Sequence, residues 1–191
     1  MNKILIANRG EIAVRIIRAC REMNIKTVAV YSEADKEALH TKLADEAICI
    51  GPANSKQSYL NIKNIIEAAN ITKADSIHPG FGFLSENSNF AKICEESNIK
   101  FIGPKSHVID LLGNKSNSKE LMKKEGVPVI PGSDGSIKNL KQAVLVCEKI
   151  GYPILLKAAA GGGGKGIRIV NSFEELESNY NIVKQEAKNS F

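Results

Sequence analysis

Residues 1–100 of this chain alternate short apolar runs with segments of helical period, and that rhythm limits the fold more than any other feature. Ile4 to Ala7 is an uninterrupted apolar run, as expected of a strand buried on both faces. Asn8 and Glu11 then stand at capping-box spacing, ahead of Ile12, Ile16, Ala19, Cys20 and Met23 at helical intervals. Thr27–Tyr31 and Ala47–Ile50 read as further strands, and Ile62, Ile65, Ile66 and Ala69 mark a helix. Asp75–His78 leads into Pro79-Gly80, a helix carries Phe90, Ile93, Cys94 and Ser97, and Phe101-Ile102 is a short strand. Strand–helix alternation of this kind predicts an α/β fold with a parallel sheet covered on both faces.

The rhythm changes near Gly103-Pro104. Two helical stretches follow, 106–112 and 115–125, before Gly126-Val127-Pro128 and the turn-rich Pro131–Gly135. A helix then places Leu140, Ala143, Val144, Cys147 and Ile150 on one face. Pro153–Ala158 reads as a strand, 161–166 as a glycine loop and Gly166–Val170 as a second strand, so this unit is a hairpin. Ser172 and Glu175 have capping-box spacing before a last helix lined by Phe173, Leu176, Tyr180, Val183 and Ala187. A two-stranded sheet is marginal by itself. The second unit therefore reads as unfinished at Phe191, and the natural protein is expected to continue. The expected divisions are a domain at 1–113, a helical linker at 114–132 and a partial second unit at 133–191.

Composition excludes several classes. Apolar residues make up 43% and charged residues 25%, ordinary for a globular protein. No apolar run approaches the roughly 18 residues of a membrane span, and the apolar stretch after Lys3 is too short for a signal peptide. A cytoplasmic setting is expected. Net charge is +5, but the lysines are scattered and not interleaved with aromatics, which argues against a nucleic-acid partner. The four cysteines are far apart and never form C-x-x-C. They are expected to act as small apolar residues, without a zinc site or disulfide framework.

The glycine loop, Gly161-Gly162-Gly163-Gly164-Lys165-Gly166, is the densest chemical signal. Each glycine costs about 0.5–1 kcal/mol of ordering relative to alanine, and a tight hairpin needs only about two loop residues. Four bare amides in a row suit phosphate oxygens. Walker A is excluded, because Lys165 is followed by Gly166 and Ala159 stands where the first glycine belongs. The match of 161–166 to G-x-G-x-x-G lacks a following helix. The first strand–helix turn, Asn8-Arg9-Gly10-Glu11, also lacks the dinucleotide fingerprint. The first domain is thus expected to be Rossmann-like in layout without holding a dinucleotide. Lys157, amid Ile154-Leu155-Leu156-Lys157-Ala158, is costly to bury unless paired, and a nucleotide phosphate would suit it; the alternative is a lysine on the wet face of a strand. Lys115 alone would be a surface lysine.

His78-Pro79-Gly80-Phe81-Gly82-Phe83-Leu84-Ser85-Glu86-Asn87 bridges a strand end and the next helix. Ligands of open α/β sheets bind at the C-terminal strand ends, where Gly80 and Gly82 permit close approach. The competing possibility is a rigid connector, with Phe81 and Phe83 plugging the core. His78 is expected to be a satisfied structural histidine.

Together these segments resemble the biotin carboxylase family. Ile6–Ala13 (IANRGEIA) is similar to its opening and HPGFGFLSEN to its second hallmark. Phe101–Pro104, Gly126–Pro128 with Pro131-Gly132, and KAAAGGGGKG at 157–166 are similar to the segments leading into its ATP-grasp domain. The resemblance covers essentially the whole chain in order. It implies a Rossmann-like domain followed by an incomplete ATP-grasp lid subdomain built on the glycine-loop β-hairpin. It implies ATP, Mg²⁺ and bicarbonate forming carboxyphosphate, and transfer of carbon dioxide to N1 of biotin on a carrier protein. A carboxyltransferase partner, a homodimer and a setting such as acetyl-CoA carboxylase in fatty acid biosynthesis follow from the same likeness.

By position, the resemblance makes Lys115 and Lys157 phosphate ligands, Gly161, Gly162, Gly163 and Gly164 the lid over ATP, and Phe81 and Gly82 the approach to biotin. The chain departs from the family where Phe81 replaces a frequent Tyr, Asn114 a frequent Asp and Lys165 a frequent Arg. The family's adenine-contacting segment, Mg²⁺ glutamates, bicarbonate site and general base fall beyond residue 191. No catalytic residue is therefore assigned within it, and residues 1–191 alone are expected to turn over no ATP. The alternatives are another ATP-grasp ligase, or a truncated assembly or dimerisation module.

Overall fold

A computed structural model describes residues 1–133, 135–158 and 166–190, with side-chain detail except at 115, 116 and 187–190. The chain divides into two compact units, Met1–Asp110 and Leu111–Phe191.

In the first unit, β1 (Lys3–Ile6) pairs in parallel with β2 (Lys26–Ser32) and with β4 (Ser76–His78). β3 (Glu46–Gly51) extends the sheet beyond β2, and β5 (Lys100–Phe101) beyond β4, giving the order β3-β2-β1-β4-β5. Alternation along β1 divides its side chains between two cores. Leu5 and Ala7 join Val28, Val30, Tyr59, Ile65, Ile77 and Phe90, whereas Ile4 and Ile6 join Ala13, Ile16, Ile17 and Cys20. The continuous apolar run read from the sequence thus reflects burial on both faces. Helix α1 (Gly10–Glu22) covers one face, with α2 (Leu39–Leu43) beside it; α3 (Ile62–Thr72) and α4 (Ser88–Glu96) cover the other. Asn61 and Asn87 cap α3 and α4, accepting from Asn64 N–H at 3.2 Å and Phe90 N–H at 2.8 Å. Such a cap contributes about 0.5–2 kcal/mol relative to alanine.

Two expectations for α1 need correction. Its N-cap is Arg9, in extended conformation and without a side-chain cap bond, so Asn8 and Glu11 form no capping box. The Asn8 amide is engaged elsewhere, as described below. Met23 is 64% exposed, because the buried stripe runs through Ala13, Ile16, Ile17 and Cys20 and ends before it. Cys20, Cys94 and Cys147 are buried free thiols, whereas Cys49 is exposed.

α5 (Ser106–Gly113) ends across the division between the units, and α6 (Lys115–Lys124) follows it. The second unit continues with α7 (Leu140–Ile150), the antiparallel pair β6 (Ile154–Lys157) and β7 (Ile167–Val170), and α8 (Phe173–Ser190). Its core gathers Ala143, Cys147, Val170 and Leu176, with Ile154 and Leu156 packed against them. Glu175 reaches back across the first turn of α8, but it accepts from Asn171 N–H at 3.0 Å, one residue before Ser172. The carboxylate therefore secures the entry to the helix at a different donor from the one its spacing suggests.

Burial has a consequence for acid stability. His40 is 1% exposed; its Nε2 lies 3.2 Å from the Val30 carbonyl, and its buried Nδ1 has no partner among the described residues. Burial pushes the pKa of His40 down, and that of half-buried His78 likewise. Both therefore bind a proton less readily folded than unfolded, where the value is about 6.5. Between the folded and unfolded values the unfolded chain holds more protons, so stability rises with pH. The contribution is complete above the unfolded value and is lost as pH falls through the folded ones. The urea midpoint is expected to drop between about pH 7.5 and about pH 5.5, and His40→Gln to flatten that slope.

Candidate functional site

Two places hold the residues singled out in the sequence. The first is the C-terminal edge of the parallel sheet, where β1 and β4 are neighbours and the strand order reverses direction. Asn8 follows β1 and is 4% exposed. Its Nδ2 donates to the carbonyls of Pro79 at 2.8 Å and Phe81 at 2.7 Å, and its Oδ1 accepts from Arg9 N–H at 2.9 Å. Gly80 passes so close that a Cβ there would stand 2.7 Å from Asn8 Nδ2. Asn8 thus ties the end of β1 to the segment after β4, at the sheet edge where related sheets hold ligands.

His78 accepts from Gly80 N–H through Nδ1 at 3.0 Å. With its pKa depressed by burial, it serves as a neutral structural acceptor. The two phenylalanines of the segment have different fates. Phe83 stacks on Tyr59 with ring centroids 5.0 Å apart, and the Arg9 guanidinium lies over both rings at 5.3 and 5.7 Å. Phe81 is 60% exposed, so the plugging role holds for Phe83 and fails for Phe81. Gly82 has a φ of +65° and open space where a Cβ would be.

Sequence reasoning missed the acidic anchor below this stack. Asp35 Oδ2 accepts from Ser32 Oγ at 2.7 Å, Tyr59 OH at 2.7 Å and Arg9 Nη1 at 3.1 Å. Burial would raise the Asp35 pKa, but these bonds and the Arg9 charge outweigh it and hold the carboxyl below its usual range. Burial, and then the bond to Asp35, push Tyr59 up to about 12. The acidic residue lies 26 positions from Arg9 and 24 from Tyr59, so no local motif could reveal it.

The second place is the outer face of the β6–β7 pair. Leu155 lies opposite Ile169 and Lys157 opposite Ile167, and these residues face away from the helices. Leu155 is 47% and Ile169 63% exposed. Lys157 is exposed at the end of β6, so its position is the wet face of the strand. Ala158 N–H donates to the Gly166 carbonyl at 2.9 Å. That pair flanks 159–165, and Gly161, Gly162, Gly163, Gly164 and Lys165 lie outside the described residues. Lys115 opens α6, and its side chain is likewise outside the described residues. Asn114 accepts from Asn117 N–H at 3.2 Å, which gives it a role at the start of α6. Among the described residues, no group of three or more His, Cys, Asp or Glu is arranged to hold a metal, and no helix is long and apolar enough to cross a membrane.

Comparison with known proteins assigns a class to each unit. Residues 1–109 match the model of the biotin carboxylase N-terminal domain. Residues 114–191 match that of the carbamoyl-phosphate synthase L chain ATP-binding domain. The sheet-bearing unit is thus followed by residues that match an ATP-binding domain, and the chain belongs to the biotin carboxylase family. Biotin carboxylase 1 of Bacillus subtilis is 58% identical over all of this chain, which spans 42% of that relative. The mitochondrial propionyl-CoA carboxylase alpha chain of Homo sapiens is 50% identical, again over the whole chain, which spans 26% of it. Among solved structures, the Campylobacter jejuni biotin carboxylase–βγ-ATP complex is 54% identical, with a TM-score of 0.95; all of this chain and 43% of that one are covered. The biotin carboxylase domain dimer of Hydrogenobacter thermophilus 2-oxoglutarate carboxylase, in complex with MgADP, ADP and bicarbonate, is 53% identical, with a TM-score of 0.93. It is matched over all of this chain and 42% of its own. The chain therefore spans less than half the length of these relatives.

Proposed function

We propose that this chain supplies the N-terminal domain and part of the nucleotide grip of a biotin carboxylase. In that reaction ATP and bicarbonate yield ADP and carboxyphosphate, and carbon dioxide passes to N1 of biotin on a carrier protein. The observation that carries the proposal is the exposed face of the β6–β7 pair. An apolar strip of Leu155 and Ile169 ends in an exposed Lys157, which precedes the glycine-rich run in the sequence. Such a face suits one side of a bound nucleotide, with phosphates at its basic end and the apolar strip adding to the adenine contacts assigned beyond residue 191. Lys157 and Lys115 neutralise phosphate charge, while the amides of Gly161–Gly164 close over the β- and γ-phosphates.

When a bicarbonate oxygen attacks the γ-phosphorus and the bond to the ADP oxygen breaks, charge spreads over the phosphoryl oxygens. Once closed over the nucleotide, ammonium and amide groups aimed at that charge stabilise it. Closure also keeps water from an unstable intermediate. Mg²⁺ supplies further neutralisation of the phosphates when bound, and its ligands are assigned beyond residue 191. Phe81 and Gly82, the exposed part of the 78–83 segment, form the edge that biotin approaches.

The natural assembly in this reading is a cytoplasmic homodimer working with a carrier protein and a carboxyltransferase. Acetyl-CoA carboxylase of fatty acid biosynthesis is one such setting, and the carboxyltransferase chooses the acyl acceptor. Another ATP-grasp ligase takes support from the match of 114–191, but HPGFGFLSEN and the names of the relatives favour the carboxylase. Purified 1–191 is expected to show no bicarbonate-dependent ATP hydrolysis. The same chain extended by the portion its relatives carry is expected to show it. Turnover by 1–191 alone would contradict the assignment of the catalytic groups to later residues.

A further inference from the structure

We propose that Asn8 is a positioning residue for biotin, acting through the main chain of the 79–83 segment. The proposal rests on the reading of Phe81 and Gly82 as the edge that biotin approaches. Asn8 is buried and every polar group of its amide is used: both Nδ2 hydrogens go to the carbonyls of Pro79 and Phe81, and Oδ1 takes the Arg9 N–H. The two carbonyls bracket Gly80, which fits above the amide only because it lacks a Cβ.

The segment would not hold this shape by itself. Gly80 and Gly82 have φ of +65° and Phe83 a φ of +39°, left-handed values that a phenylalanine rarely adopts. A residue stays in such a region only where its surroundings over-determine it. Asn8 fixes one side of the segment, and the stack of Phe83 on Tyr59 under Arg9 fixes the other. Between these anchors Phe81 is held out from the surface, with its backbone carbonyl turned inward to Asn8. No other side chain of this length offers two donors and one acceptor: aspartate would set a carboxylate against two carbonyls, and serine would not span them.

The test uses the chain extended by the portion its relatives carry, in three variants: Asn8→Ala, Gly80→Ala and Phe81→Ala. Asn8→Ala removes the tie, and Gly80→Ala displaces it by crowding the Asn8 amide while keeping that side chain in the sequence. Hydrogen exchange of the 78–87 segment reports the tie, and steady-state kinetics with free biotin report its use. Asn8→Ala and Gly80→Ala are each expected to speed exchange of this segment about tenfold or more. Each is also expected to raise the KM for biotin about tenfold, with the KM for ATP moving less than about twofold. Should Asn8→Ala fail to fold, Gly80→Ala carries the test. Unchanged exchange, or equal increases in both KM values, would overturn the positioning role. Faster exchange with an unchanged KM for biotin would do the same if Phe81→Ala raised that KM. An unchanged KM for biotin in Phe81→Ala as well would overturn the biotin-edge reading, and the proposal with it.

Discussion

Phe90→Ala is expected to destabilise the first unit by about 3–5 kcal/mol, the range for emptying a buried aromatic site. Phe90 is 0% exposed and meets Phe101 edge-on at a centroid distance of 5.8 Å. It joins α4 to the core formed by Leu5, Val28 and Ile77 from three different strands. Its backbone N–H also donates to the capping Asn87 Oδ1, so both the side chain and the helix start converge on this residue. Domains of this kind are stable by only about 5–15 kcal/mol, so the variant is expected to be partly unfolded at 37 °C or close to it. Urea denaturation followed by far-UV circular dichroism measures the loss. Ile71→Ala, at a position 71% exposed on α3, is the control and is expected to stay within about 0.5 kcal/mol. A Phe90→Ala loss below about 1 kcal/mol would mean that the core is not packed around this ring.

The second large effect concerns the nucleotide. The double substitution Gly163→Val and Gly164→Val, made in the extended protein, is expected to weaken ATP binding about 100-fold or more. A hydrogen bond to a charged group contributes about 1.5–3 kcal/mol, so losing two removes about 3–6 kcal/mol. Each 1.4 kcal/mol is about a factor of ten in Kd. Valine adds a branched Cβ that blocks backbone approach and disfavours left-handed conformations. Calorimetric titration of MgATP gives the Kd, and circular dichroism shows that the unit built on α7, β6, β7 and α8 remains folded. An unchanged Kd in a folded variant would remove the phosphate role from the glycine run.

The fold was legible where one local pattern had one cause. The run at Ile4–Ala7 is continuous because α1 covers one face of β1 and α3 and α4 the other. The helix through Leu140, Ala143, Val144 and Cys147 shows its period because the hairpin meets that one face. Reasoning failed where a distant partner competed with a local one. Asn8 has the spacing of a cap, but its amide is taken by carbonyls 71 and 73 residues away. Phe81 and Phe83 look equivalent in the sequence. The left-handed turn at Gly82 and Phe83 separates them, sending one ring outward and the other onto Tyr59.

The candidate site divides in the same way. A run of four glycines needs no structure to be noticed, because its cost in chain entropy demands an explanation. The exposed pairing of Leu155 with Ile169 was not legible, because hairpin register decides which face each residue takes. Asp35 carried no signal at all; only the fold brings it beneath Arg9 and Tyr59.

The central claim is that the grip formed around Lys157 and the glycine run serves attack of bicarbonate on ATP. It is tested most directly by supplying ¹⁸O-labelled bicarbonate and ATP to the extended protein and analysing the released phosphate by mass spectrometry. Attack of bicarbonate on the γ-phosphorus leaves a bicarbonate oxygen on phosphorus after carbon dioxide departs. The account predicts one labelled oxygen per phosphate, with the amount of labelled phosphate falling in step with turnover in the Gly163→Val, Gly164→Val variant while the label per phosphate stays at one. Phosphate released without label would mean that water, not bicarbonate, attacks the nucleotide, and would contradict it.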